Sequence, residues 1–312
     1  MGSDRGGIRI GISGWQYDGW RGDFYPEELA HDDELAYALR RFPTVEVNGT
    51  FYSLKKRSDF AGWRDAVDGV DAVGSRPGGV PVFALKGSRY ITHMKRLKDP
   101  ASGLANFFGQ GLLVLGDALG PVLWQLRDDF AFDADRLEPF LAALPGTHEA
   151  AARLARRHDD RVAEAATEAR TSGPIRHAVE ARHESFADPE ALALLREHDV
   201  ALVVSHNPGE FPVLEELTTD FMYVRLHGPE TLYHGSYSDA ALDRWADRVD
   251  GWARGTPVDD TSGSSRTDGP RDVYVYFDND ADGAAPFDAR RLMERLDLAA
   301  PFAPPGTKDA MP

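Results

Sequence analysis

The sequence predicts an α/β protein built as a (β/α)8 TIM-type barrel, with parallel strands, flanking helices and a long flexible loop before the last strand. Eight short apolar runs alternate with helical stretches along 312 residues. Such alternation implies parallel pairing through right-handed crossovers, and the length suits one barrel of about 250 residues plus insertions. An open doubly wound sheet is the alternative, but no glycine-rich phosphate loop follows the first run.

The predicted strands are short runs rich in β-branched and aromatic residues. In chain order they are IRIGISG (8–14), TVEVNGTFY (44–52), VPVFALKG (80–87), GPVLWQL (120–126), IRHAVEARH (175–183), VALVVSH (200–206), FMYVRLHG (221–228) and DVYVYFDND (272–280).

Helical patterns separate these strands. The clearest are DDELAYALRRF (32–42), DRLEPFLAAL (135–144), DPEALALLREHD (188–199) and SDAALDRWADRVDGWA (238–253). Asp188 followed by a proline is typical of a helix start, because aspartate caps the first amides and proline fits the first helical position. In the last pattern Leu242, Trp245, Val249 and Trp252 recur at helical spacing.

Residues 1–300 are therefore expected to form a single barrel domain, followed by a C-terminal tail at 301–312. Two insertions interrupt the repeat. Residues 147–173 are expected to add a helix, and residues 255–271 are rich in Ser, Asp, Gly and Pro, which is typical of a mobile loop.

Composition narrows the protein class. There is no cysteine, so disulfides and thiolate metal sites are excluded. No apolar run approaches twenty residues and the N-terminus lacks an apolar signal, so we expect a cytoplasmic protein with no membrane partner. The net charge is −16 and only six of the 35 basic residues are lysine. This balance suits a halophilic source with an acidic proteome, although a GC-rich genome also favours arginine.

The charge is unevenly distributed. Residues 53–98 carry ten basic and four acidic side chains, which gives this segment +6 and the remainder −22. A basic segment in an acidic protein can attract an anion or consist of paired surface charges. Broad nucleic-acid binding is disfavoured by the overall acidity, but a nucleic-acid processing role for the segment 55–98 stays open.

Seven motifs occur in a familiar order: GISGWQYDGWRGDFYP, VEVNGTFY, SRYITHMKRLKDP, GPVLWQL, VEARH, YVRLHG and YVYFDNDADGAAPFDA. Together they resemble the domain-of-unknown-function 72 family, the YecE-like proteins, from about Ile8 to Leu296. The resemblance implies a TIM-type barrel and supplies no established activity. The chain departs from the family pattern at Asn48–Thr50, Arg127–Asp128, Ala181 and Asp278.

Barrel active sites lie at the C-terminal ends of the strands, and polar residues collect at those positions here. Glu46 and Asn48 share one strand face, as do Glu180 and Arg182, and Arg225 and His227, because each pair is two residues apart. The candidate catalytic residues are Glu46, Glu180, His227 and Lys86. The candidate substrate-binding residues are Asn48, Arg89, Gln125, Arg182, Arg225, Asn279 and Asp280.

This set favours a negatively charged ligand. Lys86, Arg182 and Arg225 outnumber the carboxylates of Glu46 and Glu180, and arginine binds phosphate or carboxylate well. We therefore predict an enzyme, a hydrolase or lyase, that acts by acid–base chemistry on a small anionic substrate, phosphorylated compounds included. A non-catalytic anion-binding or sensor barrel is the alternative, as is an ion-pair network that only stabilises the fold.

No motif implies a cofactor. The segment DNDADG (278–283) begins like a calcium loop, but Ala289 stands where the bidentate glutamate is expected. A divalent ion bound by Glu46, Glu180, His227 and Asp280 is left open. So is Schiff-base chemistry at Lys86, which would require neighbouring cations to lower the pKa of its amine.

Overall fold

A computed structural model describes residues 5–71, 79–256 and 269–298. Each pair of neighbouring strands in the sheet is parallel, and their order is β6-β5-β4-β3-β2-β1-β9-β8-β7. The strands are β1 (Ile8–Ser13), β2 (Thr44–Val47), β3 (Val82–Lys86), β4 (Leu119–Gln125), β5 (His177–Glu180), β6 (Val200–Leu202), β7 (Val204–His206), β8 (Phe221–Leu226) and β9 (Asp272–Phe277). Helices flank this sheet, and the predicted TIM-type barrel is confirmed.

The single strand predicted at 200–206 is split at Val203 into β6 and β7. The backbone amide of Val203 still donates to the Val179 carbonyl at 2.9 Å, which continues the pairing of β6 with β5. β7 instead pairs with β8. The nine strands therefore occupy eight positions around the barrel.

Two hydroxyl groups complete the wall where the split strand changes partners. In the lower half, Thr218 Oγ1 donates to the Val200 carbonyl at 2.7 Å and accepts from the Leu202 amide at 2.8 Å. In the upper half, Ser205 Oγ donates to Glu180 Oε1 at 3.0 Å. At two levels along the split strand, side-chain hydrogen bonds therefore supplement the backbone pairing of the barrel wall.

The helices in the described part of the chain are α1 (Glu34–Leu39), α2 (Gly49–Tyr52), α3 (Arg57–Asp71), α4 (Pro100–Gly109), α5 (Ala134–Ala142), α6 (His148–Ala155), α7 (Pro189–Glu197), α8 (Asp239–Ala253) and α9 (Ala285–Arg295). Four of them, α1, α5, α7 and α8, coincide to within one residue at their starts or fall inside the four helical patterns singled out in the sequence. None of the helices among the described residues is long and apolar enough to cross a membrane.

Local sequence accounts for the helix boundaries. Asp188 caps α7 by accepting from the Glu190 amide at 2.8 Å, with proline at the first helical position. Ser238 caps α8 in the same way, and the apolar stripe of α8 is buried. The prediction that residues 44–52 form one strand was wrong in its second half, because Gly49–Tyr52 form the short helix α2.

The predicted insertions fall partly inside the described structure. Residues His148–Ala155 of the first are helical, as α6, and Thr147 Oγ1 caps this helix. Within the second, at 255–271, residues 257–268 lie outside the described residues, and so does the tail at 301–312.

Inward-facing side chains form an apolar lower part and a polar upper part of the barrel interior. The lower part contains Val82, Ala84, Leu123, Ala178, Ala201, Val203, Phe221, Tyr223, Tyr274 and Tyr276. Continuing each strand to its C-terminal end gives the polar layer, which consists of Ser13, Glu46, Lys86, Gln125, Glu180, Ser205, Arg225 and Asp278, all at least nine-tenths buried. The fold therefore gathers charged groups at the end of the barrel where catalytic sites are built.

Candidate active site

Arg225, on β8, is the centre of the polar layer. Its side chain is 1% exposed and donates to three carboxylates: Glu46 at 2.8 Å, Glu180 at 2.9 Å and Asp278 at 2.9 Å. Burial opposes the charged guanidinium, but the three anions outweigh it and raise the pKa of Arg225 further. This guanidinium holds residues from β2, β5 and the end of β9 together.

Glu46, on β2, has both oxygens engaged. Oε1 accepts from Ser13 Oγ at 2.5 Å and from Arg225 Nη2, and Oε2 accepts from Tyr223 OH at 2.5 Å and Arg225 Nε at 3.2 Å. Tyr223 lies one layer below and is wholly buried; burial and then the Glu46 charge raise the pKa of its phenol. Glu46 is 0% exposed, so its carboxylate is closed off from solvent.

Glu180, on β5, is equally enclosed. Oε1 accepts from Arg182 at 2.9 Å and from Ser205, while Oε2 accepts from Gln125 at 2.9 Å and from Arg225. Its burial favours the neutral acid, but Arg182 and Arg225 prevail and hold the pKa of Glu180 well below its usual range. Its neighbours therefore favour the ionised carboxylate over the neutral acid.

His227 lies between two of these anions. Its Nδ1 is 2.9 Å from Asp278 Oδ2, at ion-pair distance without hydrogen-bond geometry, and its Nε2 is 3.0 Å from Ser205 Oγ. Burial opposes ionisation of Asp278, yet Arg225 and His227 together hold the pKa of that carboxyl below its usual range.

Lys86 differs from every other charged group in the layer. It ends β3, is 8% exposed, and its Nζ lies 4.6 Å from the centroid of the Phe51 ring. Within the described residues its ammonium group has no hydrogen bond and no ion pair. Burial first, and then the Arg225 charge, lower the pKa of Lys86 to about 8, against the pull of the carboxylates of Glu180, Asp278 and Glu46.

Asp280 lies at the rim beyond β9 and is partly buried. Burial, followed by repulsion from Asp278, raises its pKa to about 6, although the neighbouring Tyr17 hydroxyl opposes that shift. The hydroxyl proton of Tyr17 is donated to the Ser13 carbonyl at 2.7 Å. Asp280 is therefore a carboxyl group that gains or loses its proton close to neutral pH.

The opposite side of the rim is positively charged. His93 is half-buried, with its ring edge-on to Phe51 at 4.9 Å. Burial and then the charges of Lys86, Arg127 and Arg182 lower its pKa to about 4. The same cations that keep His93 neutral would attract an anionic group placed beside it.

The structure brings together most, though not all, of the residues singled out in the sequence. Glu46, Lys86, Gln125, Glu180, Arg182, Arg225 and His227 form or border the polar layer, and Asn48 donates to Ser13 Oγ at 2.8 Å. Arg89 is exposed and lies against the Tyr52 ring. Asn279 points toward α9 and donates to Asp288 at 2.9 Å, so its amide is engaged outside the polar layer.

Ser205, Tyr223, Asp278 and Tyr17 are among the groups of this site that were not chosen as candidates from the sequence. Tyr223 could have been found by strand parity, because it lies two residues before Arg225 on the same strand. Asp278 matters most. It adds a third carboxylate, so that Glu46, Glu180 and Asp278 balance Lys86, Arg225 and the bordering Arg182, and the excess of positive charge expected from sequence disappears once Asp278 is counted.

The geometry bears on two alternatives that the sequence left open, a divalent-metal site and a ligand-binding role for the basic segment. Within the described residues, no three His, Asp or Glu side chains are arranged to bind a metal ion, and the oxygens of Glu46 and Glu180 are taken by arginine. In the basic segment, Arg64 pairs with Asp68 and Asp117, and Arg96 with Asp129. Several of its charges are therefore neutralised by acidic neighbours.

Fold and site define an α/β barrel with a buried layer of ionised residues at its C-terminal rim. The chain belongs to the family described as "Protein of unknown function DUF72", whose model matches residues 9–310. The resemblance seen in the sequence is thereby confirmed.

Solved structures of the same family share the fold. A family protein from Thermotoga maritima is 25% identical, with a TM-score of 0.65 over 93% of this chain and 99% of that one. A second, from Enterococcus faecalis, is 15% identical, with a TM-score of 0.64 over 94% of this chain and 97% of that one. Among curated proteins, no sequence matches this chain.

Proposed function

We propose that the chain is an enzyme, a hydrolase or lyase, that transfers protons on a small anionic substrate at the C-terminal rim of the barrel. The observation that carries this proposal is the buried ammonium group of Lys86, which the described residues leave without a hydrogen bond or ion pair. Burying an unpaired cation is unfavourable. Such perturbed groups concentrate at functional sites.

Roles within the layer follow from access to solvent. Glu46 and Glu180 are 0% exposed with every carboxylate oxygen engaged, so neither can reach a substrate proton without losing its partners. Their role in this proposal is to position Arg225. The side chains of Lys86 and Asp280 are the ones free to exchange protons, since their pKa values of about 8 and about 6 lie on either side of neutrality.

Substrate orientation follows from the uneven charge at the rim. Lys86, Arg182 and His93 lie on one side, where a phosphate or carboxylate would be stabilised, and Asp280 lies on the other. Phosphorylated substrates fit the same chemistry.

Ligand screening tests this proposal most directly. Phosphorylated and carboxylated metabolites are screened for an increase in melting temperature, because a ligand that binds only the folded state stabilises it in proportion to the logarithm of its concentration. Each stabilising compound is then incubated with the protein and assayed for products. We expect the turnover rate to rise with pH near 6, where Asp280 loses its proton, and to change again near 8, where Lys86 does.

Matched variants connect the signal to the site. Lys86→Met should abolish turnover, and Arg182→Met should weaken binding of the anion by about tenfold or more, the scale of one lost charge-assisted hydrogen bond. Lys56→Met is the control, because Lys56 is exposed and outside the layer. Tight binding with no product over long incubation would select the non-catalytic anion-binding alternative, and no effect of either site variant would refute the site.

A further inference from the structure

We propose that Lys86 is a covalent nucleophile that forms an imine with the carbonyl carbon of its substrate. This inference rests on the proposed function and narrows it. The substrate class becomes a small aldehyde or ketone that carries an anionic group, and the reaction class becomes that of a lyase or a related carbon–carbon or carbon–hydrogen cleaving enzyme.

The hydrogen bonds of the polar layer support this role because, within the described residues, none of them involves the Lys86 amine. A lysine that serves only to neutralise buried carboxylates is expected to form an ion pair with one of them. Three carboxylates lie in the layer with Lys86, yet they take their hydrogen bonds from arginine, glutamine, serine and tyrosine. The amine instead lies over the face of Phe51.

The surroundings of Lys86 favour the neutral, nucleophilic amine. It is buried against the Phe51 ring and near the Arg225 charge, and burial and a neighbouring cation are the two conditions that activate lysine for attack on carbonyls; here they outweigh the pull of Glu180, Asp278 and Glu46. With a pKa of about 8, roughly a quarter of the molecules carry the free amine at pH 7.5, against about 0.1% for an ordinary lysine. Exposed lysines on the same chain are protonated almost completely at that pH.

The chemical step balances without an outside oxidant or reductant. The Nζ lone pair attacks the carbonyl carbon, a C–N bond forms, and the carbonyl π electrons move to oxygen. The proton lost by nitrogen offsets the one taken up by oxygen. A proton from solvent then converts the hydroxyl of this carbinolamine into water, which leaves as the nitrogen lone pair forms the C=N bond of a protonated imine. The protonated imine accepts the electron pair of a neighbouring C–C or C–H bond as that bond breaks; the fragment departs as a carbonyl compound or carbon dioxide, or the proton passes to a base, and an enamine remains. Protonation of the enamine carbon restores an imine, whose hydrolysis returns the amine and releases the product.

Reductive trapping tests the imine. The protein is incubated at pH 7.5 with glyoxylate, a small anionic aldehyde, and sodium cyanoborohydride, and adducts are located by peptide mass mapping. We expect one reduced adduct at Lys86, formed at least about tenfold faster than at any exposed lysine, as its larger free-amine fraction requires. The labelling rate should rise through pH 8. Lys56→Met should label like the wild type, and Lys86→Met should not label at this position or elsewhere at that rate.

An even spread of adducts over all lysines would overturn the imine, as would unchanged labelling of Lys86→Met. Lys86→Arg separates this failure from failure of the proposed function, since it keeps the charge and cannot form an imine. If Lys86→Arg retains turnover of an anionic metabolite, the imine and the proton exchange by Lys86 are both wrong, since arginine does neither, while turnover of an anionic substrate by the protein stands. If Lys86 is trapped but no compound is ever turned over, the covalent chemistry stands and the proposed function fails.

Discussion

Arg225 shows how much of the site depends on one side chain. A buried ion pair seldom stabilises a fold more than apolar packing would, yet here a single guanidinium compensates three carboxylates from three separate strand ends. Removing it would leave those anions buried with insufficient positive charge. The residue therefore fixes the geometry of the layer even if its net contribution to stability is small.

Arg225→Met should destabilise the fold by roughly 3–5 kcal/mol, because the volume is nearly kept but the carboxylates lose their shared cation. Urea denaturation at pH 7 measures the loss. Arg161→Met is the matched control, since Arg161 pairs with Asp159 at the surface, and it should change stability little. A loss of less than about 1 kcal/mol for Arg225→Met would mean that the carboxylates take up protons or water at little cost.

Lys86→Met should do the opposite and stabilise the protein at neutral pH. The folded-state pKa of about 8 lies below the unfolded value of 10.5, so protonated Lys86 costs folding roughly 2–4 kcal/mol below pH 8. The cost falls as pH rises from 8 to 10.5, because the unfolded chain then binds more protons than the folded one. Wild type and variant should converge over that range in urea titrations. A destabilised variant at pH 7 would show that the ammonium is paired in solution.

Strand parity allowed the main residues of the layer to be predicted from sequence. Glu46, Glu180 and Arg225 each sit at an inward position near the end of a regular strand, and two-residue spacing is reliable there. Asn279 could not be predicted in this way, because it follows the end of β9 and turns toward Asp288. Local periodicity gives no direction for a side chain once the pleat has ended.

Asp288 connects elements of the fold much as Arg225 connects strand ends. It lies in α9 and binds residues of the loop after β8. It is 0% exposed and accepts from Ser236 Oγ at 2.6 Å, the Tyr237 amide at 2.9 Å, Asn279 at 2.9 Å and Arg291 at 2.8 Å. The same loop carries Tyr233, whose ring packs against His227. The position of the rim over the polar layer thus depends on a carboxylate outside the site.

Asp288→Ala should therefore loosen residues 228–237 and cost about 1.5–3 kcal/mol, the scale of lost hydrogen bonds to a buried charge. Hydrogen exchange should speed up in that loop and in the first turn of α9, while the protection of β2 and β3 is kept. Asp282→Ala is the control, since Asp282 is an exposed acceptor for His234. Uniformly faster exchange across the whole barrel would contradict a local role.

The break between β6 and β7 and the helix α2 could not be predicted from their own sequences. VALVVSH is a continuous apolar run with no turn residue, so the break at Val203 reflects the change of partner from β5 to β8 and not a local preference. TVEVNGTFY keeps its alternation past the end of the strand, but Thr50 donates to the Lys86 carbonyl at 2.7 Å and its chain becomes helical. Tertiary contacts outweighed local pattern in both places.

At the scale of the whole molecule, the order of strands and helices was predictable because alternating strands and helices imply a parallel sheet with both faces covered, and the missing glycine-rich phosphate loop favoured a barrel over an open doubly wound sheet. The surface charge has a separate consequence. With 51 acidic and 35 basic side chains, the folded chain repels itself at low ionic strength. A halophilic source stays a prediction, and salt dependence is the property that tests its physical basis.

Raising sodium chloride from about 20 mM to about 1 M shortens the Debye length to about 3 Å, so the melting temperature should rise. An increase of roughly 3–6 °C is expected for a chain of this size if screening contributes about 1–2 kcal/mol. Potassium chloride should have the same effect, because screening is not ion-specific. A fall in melting temperature would indicate that exposed pairs such as Arg295 with Asp239 and Asp243 outweigh the repulsion.

The split strand leaves a seam in the barrel wall. Where β6 gives way to β7, the hydroxyls of Thr218 and Ser205 form hydrogen bonds beside the backbone ladders. At the height of Glu180 the seam is closed by a side chain, so Ser205→Ala would remove the bond to Glu180 Oε1 and leave every backbone pairing in place. A point substitution can therefore alter this part of the wall without any change to the order of the strands.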